Sequence, residues 1–429
     1  MTPNRFRKYL VVLGAFALIT RAWGESVFNV NSVADGIDAD LADGNCEIAP
    51  PTVPPTCTLR AAVMQANRIP SGAKIFLPAG TYFLTRPPGP TDGEDVGDLD
   101  LVTPDGYSAG PTTIIGAGAA TTIIDGMNND GVITIGYGRT ASISAVSILH
   151  GKRAYYGGLE NFGTLTLVDS VISNNTATAG AGGGGIYNAG SLTAMRVAVS
   201  ANVGGGILNG DNYTLSLTQT TISGNTLAGG IKNFGYLYLT NSTISANSTL
   251  YNGGGIENNS GQTNTAHADI YNSTIVFNQA DSDSDLSGEG SGIYVIGSGS
   301  IVNVVNSVIA GNSVPGSQVY DDCIGALGIY GNNKFSVTVG WSVIPGSPGT
   351  ATLIDSLDEL GILTDNGGPT RTVALKPPST LIGGGATCVG EGLLPLKTDQ
   401  RGHPRPPGSR CDIGAFEYNE IFWSGFESQ

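Results

Sequence analysis

Residues 221–225 read Thr221-Ile222-Ser223-Gly224-Asn225, and the same five-residue pattern returns throughout the middle of the chain. It recurs as Val171-Ile172-Ser173-Asn174-Asn175, Ala198-Val199-Ser200-Ala201-Asn202, Thr243-Ile244-Ser245-Ala246-Asn247, Thr274-Ile275-Val276-Phe277-Asn278 and Val308-Ile309-Ala310-Gly311-Asn312. A second pattern, Gly-Gly-Ile-x-Asn, ends at Asn188, Asn209, Asn233 and Asn258, with Gly158-Leu159-Glu160-Asn161 as an earlier variant. A third is a short alternating run: Leu165-Thr166-Leu167, Leu215-Ser216-Leu217, Leu237-Tyr238-Leu239, Val302-Asn303-Val304. The order is always Gly-Gly-Ile, then Leu-x-Leu, then Thr-Ile-Ser-x-Asn, with a period of about 21–27 residues where the repeat is tight. Each piece is too short for a helix and alternates with period two, so each is a strand.

Three short strands per repeat, with glycine or asparagine at the corners, describe one rung of a parallel β-helix. The alternation points Ile and Leu inward, where successive rungs stack them into a continuous core. Glycine is expected to supply positive φ at the corners and to let turns pack closely. Asparagine tolerates the left-handed region and can bond its amide to the same residue one rung away. The expected fold is therefore all-β: a right-handed parallel β-helix, handedness following the rule for parallel crossovers. A short N-terminal capping helix and a loop-rich C-terminal cap cover its ends. Thr58–Asn67 reads as the capping helix, with Leu59, Ala62, Val63 and Ala66 on one face. The predicted organisation is a signal peptide over 1–24, an N-terminal cap over 25–70, the β-helix over 71–345, the C-terminal cap over 346–418 and a tail over 419–429.

Composition agrees. The 429 residues include 64 glycines, and only 13% are charged. Glycine has no every-third-residue period, which excludes collagen. Hydrophobic content of 40% is too high for a disordered chain. Arg5, Arg7 and Lys8 precede the apolar run Tyr9–Ile19, and Ala22-Trp23-Gly24 is a small-x-small cleavage pattern, so the chain is expected to be exported. Removing that leader takes away four basic residues and no acids, making the rest more acidic than the −15 of the whole. Nucleic acid and anionic membranes are poor partners for such a surface. Export permits disulfides, and Cys46 with Cys57 and Cys388 with Cys411 are local pairs that close short loops, leaving Cys323 over.

The ends resemble a known group of bacterial secreted proteins. Cys57-Thr58-Leu59-Arg60-Ala61-Ala62, followed by Gln65-Ala66-Asn67 and Leu77-Pro78-Ala79-Gly80-Thr81-Tyr82, is similar to the CSLREA domain, with Ala61 where that motif has glutamate. Asp365–Thr370, Asp399-Gln400-Arg401-Gly402 and Cys411–Glu417 resemble the choice-of-anchor Q domain, although Leu381–Gly385 lacks that group's aspartate. The middle is similar to polymorphic outer-membrane protein repeats. The resemblance implies export, a right-handed β-helix and association with a bacterial cell surface. It implies no particular reaction.

Chemistry is thinly marked. Of the polygalacturonase pattern only an adjacent acid pair, Asp321-Asp322, is present, and His150-Gly151-Lys152-Arg153 is the most basic cluster after the leader. Calcium is the candidate cofactor, since alternating carboxylates supply close-spaced oxygens. Three stretches qualify: Asp35, Asp38, Asp40 and Asp43; Asp92, Glu94, Asp95, Asp98 and Asp100, the favoured one; and Asp281, Asp283 and Asp285. The functional expectation is a secreted or cell-surface, adhesin-like protein that binds carbohydrate, matrix or another cell without catalysis. The alternatives are a polysaccharide lyase or glycoside hydrolase on the same fold, and a purely structural surface component.

Overall fold

The computed structural model describes residues 24–50, 53–89, 93–180, 183–261, 265–316, 321–406 and 410–418. The leader apart from Gly24, the tail and Asp92 lie outside them. The chain forms a right-handed parallel β-helix. The Thr-Ile-Ser strands make one sheet of eleven, and twenty strands from the other two faces make the rest of the wall. Register is uniform from rung to rung. Ile186, Ile207, Ile231, Ile256 and Ile293 align on one face. Leu165, Leu192, Leu215 and Leu237 align on the second. Ile172, Val199, Ile222, Ile244, Ile275 and Ile309 align on the third. All are buried in a single core.

The solenoid extends past both predicted boundaries. Ser26–Asn29 already pairs in parallel with Ala73–Leu77, and Thr350–Leu353 pairs with Asn332–Phe335. Neither strand carries the repeat's signature residues, so periodicity could not mark them. The helix Leu59–Ala66 is buried along its whole length, and Thr58 caps it by accepting a hydrogen bond from the Ala61 N–H. Among the described residues no helix is long and apolar enough to cross a membrane.

Asparagine builds two internal ladders. In one, the amide of each of Asn175, Asn202, Asn225, Asn247 and Asn278 donates to the side-chain oxygen of the next at 2.8–3.0 Å, ending at Asn312. In the other, the amides of Asn161, Asn188, Asn209 and Asn233 do the same at 2.6–2.8 Å, ending at Asn258. All of these amides are fully buried.

Glycine serves both roles expected of it, positive φ at corners and close packing of turns, at different positions. The corner between Ser and Asn does have positive φ, but Asn174, Ala201, Ala246 and Phe277 occupy it as well as Gly224 and Gly311. The glycine before each inward Ile has no positive φ. It is required because a Cβ there would lie 2.5–2.7 Å from the carbonyl oxygen of the next rung, as at Gly185, Gly206, Gly230 and Gly255. Gly206→Ala is therefore expected to cost about 1–3 kcal/mol by overpacking, while Gly224→Ala should cost about 1 kcal/mol for its left-handed corner. Chemical denaturation of the two variants checks this; equal losses would contradict it.

The C-terminal cap runs back along the outside of the Thr-Ile-Ser face. Gln400 donates to Thr221 and accepts from Thr243, Thr398 receives a bond from Asn241, and Ala415 donates to Thr274. Val389 and Thr387 accept from Asn272 and Asn306. Beneath it the outward positions become apolar: Val276, Val308 and Ala310 pack with Leu360, Val373, Leu381 and Phe416. Both expected disulfides are present, Cys46–Cys57 and Cys388–Cys411. Cys323 is a buried free thiol, which burial holds well above the usual thiol range.

Candidate ligand-binding cleft

The favoured acidic segment does not form a ring of carboxylates among the described residues. Glu94 pairs with Arg68 at 2.8 Å and accepts from Asn67 at 2.5 Å. Asp98 is fully buried and accepts from the Thr134 hydroxyl at 2.6 Å. The carbonyl of Asp95 accepts from Arg86. Asp100 lies one strand over from Thr134, which in turn is one strand over from Glu160. The segment is held from below by Arg60, whose guanidinium donates to the carbonyls of Glu94, Val96, Gly97 and Asp98 and pairs with Asp35 at 2.6 Å.

The other candidates are placed as follows. Asp38 accepts from Gln65, and burial raises its carboxyl above the usual range. Asp281, Asp283 and Asp285 are the group whose oxygens approach within 4.8 Å of one another; Asp281 also accepts from the Asp285 and Leu286 N–H groups. The basic cluster is split. His150 pairs with Asp125 at 2.9 Å, and Arg153 turns to Asp130 at 3.1 Å and to the Tyr156 hydroxyl. Burial, then the Asp98 charge, holds that phenol far above its ordinary value.

What the acidic segment does form is one wall of an open cleft of about 500 Å³, lined by Glu94, Asp100, Thr134, Tyr137, Glu160 and Phe162. The rings of Tyr137 and Phe162 stack with centroids 4.7 Å apart, and Phe162 meets Tyr187 edge-on at 6.2 Å. Tyr137 is 74% exposed. Burial and the Glu160 charge raise the Tyr187 phenol, keeping it a hydrogen-bond donor. Among the described residues no basic side chain lines the cleft, although Arg68 pairs with Glu94. It therefore offers aromatic faces for C–H surfaces and carboxylates for hydroxyl donors. Sequence reading found the acids but missed the rings. Phe162 and Phe234 stand between the ladder asparagine and a glycine, a corner position where a bulky aromatic is unexpected, and that was the available signal.

No family model matches the chain, and no curated protein matches it in sequence. Among solved structures it is similar to the crystal structure of pectate lyase Pel9A, at 15% identity and a TM-score of 0.50, over 92% of this chain and 97% of that one. At that identity the likeness shows the fold alone.

Proposed function

We propose that the protein is an exported, surface-associated carbohydrate-binding protein that holds a neutral polysaccharide in the cleft without cleaving it. The observation that carries this is the stacked pair of exposed Tyr137 and half-buried Phe162, which line one cleft with Glu94, Asp100 and Glu160. Aromatic faces take the apolar faces of sugar rings, and carboxylates accept from their hydroxyls. Three carboxylates line the cleft and Arg68 pairs with one of them, Glu94, so an uncharged glycan suits it better than a polyuronate. The leader-like start and the resemblance of both ends to surface-associated bacterial proteins support export.

The second reading is an enzyme. Asp100 and Glu160 line the same cleft with their backbones two strands, roughly 9–10 Å, apart, and paired carboxylates are what glycoside hydrolysis uses. Lysis of a polyuronate in so acidic a cleft would require a bridging divalent cation. Affinity electrophoresis against xyloglucan, β-glucan, galactomannan and polygalacturonate, the last with and without calcium, tests the main reading. Wild-type protein should be retarded by a neutral polymer, and Tyr137→Ala should weaken that at least tenfold. Retardation by polygalacturonate alone would overturn it.

A further inference from the structure

The Leu-x-Leu face carries a second cluster far along the solenoid from the cleft. His267 and Asp269 lie on one strand, with Nε2 and Oδ1 2.9 Å apart. Asn303, directly above on the next rung, donates to the same oxygen at 2.8 Å. Tyr236 and Tyr238 flank them on the rung below, and Tyr271 ends the same strand. The cap brings Glu391 close enough for its charge to raise both Tyr238 and Tyr271. Burial first, and these carboxylates second, push Tyr271 up to about 12, so the phenols stay protonated and able to donate. The Asp269 hydrogen bond raises His267, and hydrogen bonds from His267 and Asn303 hold Asp269 low against its burial. His267 and Asp269 thus sit as a hydrogen-bonded pair that presents both a donor and an acceptor.

An aromatic residue recurs on each rung between the cleft and this cluster. Tyr137, Phe162 and Tyr187 are in contact on consecutive rungs. Tyr213 follows one rung on, close enough that its charge would act on Tyr187. The Tyr236 N–H then donates to the Tyr213 carbonyl. Tyr236 and Tyr238 stand two residues apart on one strand, and Tyr271 ends the next strand, diagonal to Tyr238. The row drifts from the turn before the Leu-x-Leu strand to that strand's far end, so it crosses the wall diagonally. From the rung of Tyr137 to that of Tyr271 is five strand spacings, about 24 Å, which is several sugar residues.

We propose that His267, Asp269 and Asn303 with Tyr238 and Tyr271 form a second sugar-binding subsite, joined to the cleft by this row so that a single neutral polysaccharide strand lies diagonally across the solenoid. The inference rests on the reading of the cleft as a neutral-glycan site, and it commits that reading to a long, unbranched, uncharged chain. The recurrence of an aromatic residue on every rung from the cleft onward argues for one occupant. The electrostatics argue for its chemistry, since the carboxylates of Glu160 in the cleft and of Glu391 beside Tyr238 and Tyr271 disfavour an acidic polymer.

The test is calorimetric titration with cello-, manno- and xylo-oligosaccharides of increasing length. Affinity of the wild-type protein for one of these series should rise with length until the chain spans both ends. Tyr238→Ala and Asp269→Asn should each lower affinity for the longest oligomer about tenfold and leave the shortest binding oligomer unaffected, whereas Tyr137→Ala should weaken both. Length-independent affinity, or both distal variants binding the longest oligomer like wild type, would overturn the second subsite while leaving the cleft reading standing. Failure of wild-type protein to bind any of the three series at any length would remove the cleft reading and this inference together. Matching circular dichroism melts for the variants exclude misfolding, and Tyr238→Phe, which keeps the ring, should retain most of the affinity.

Discussion

Arg60→Met should lower stability by about 3–5 kcal/mol, the usual cost of removing one partner from a buried charge network. The guanidinium is 1% exposed. Its loss strands the Asp35 carboxylate, which it holds through two bonds of 2.6 and 3.3 Å. It also strands the carbonyls of Glu94, Val96, Gly97 and Asp98. Methionine fills much of the volume, so the loss reports the polar network and not a cavity. The double variant with Asp35→Asn should recover part of the loss, because the uncompensated charge is gone. Because this arginine carries the loop that forms the acidic wall, glycan affinity should fall along with stability. Denaturant unfolding followed by circular dichroism measures the effect; a loss below about 1 kcal/mol would mean that the loop holds itself.

The second large effect is expected at the centre of the solenoid. The side-chain oxygen of Asn225 accepts from both the backbone and the side-chain amides of Asn202, and its own amide donates to Asn247 and to the Val199 carbonyl. Asn225→Ala leaves those groups unpartnered where no water reaches, and each such group costs about 1–3 kcal/mol. A total of about 3–5 kcal/mol is the expected loss by chemical denaturation. Asp at this position should be no better, since it lacks the donor for Asn247. A ladder of this kind passes the defect to its neighbours, so hydrogen exchange should quicken on the rungs of Asn202 and Asn247 before the ends. Uniform quickening along the chain would contradict nearest-neighbour coupling.

The architecture was legible because a solenoid writes the same answer many times. A single Thr-Ile-Ser-x-Asn is a weak strand signal, but six copies in constant order fix both period and register. Where the signal appears once it is lost, as at Ser26–Asn29. The lateral course of the cap was readable in principle. Ser173, Ser223 and Ser245 give way to Val276 and Ala310 at the same outward position, where the cap's apolar side chains arrive. The site was only half legible. Its acids stand close together in sequence, but what they face is set by residues 26 to 38 positions away, such as Arg68 and Arg60. Glycine's two roles, positive φ at corners and close packing of turns, were both legible, but not which glycine plays which: the one before each inward Ile serves by the absence of a Cβ against the next rung's carbonyl.

Retention on a neutral polysaccharide column, run in parallel with an assay for reducing ends and unsaturated uronates in the same sample, tests the central claim most directly. Wild-type protein should be retained and eluted by soluble polymer, the Tyr137→Ala and Phe162→Ala variants should pass through, and no sugar should be released over prolonged incubation. Release of product from any polymer, or retention that survives loss of both rings, would contradict a non-cleaving aromatic cleft.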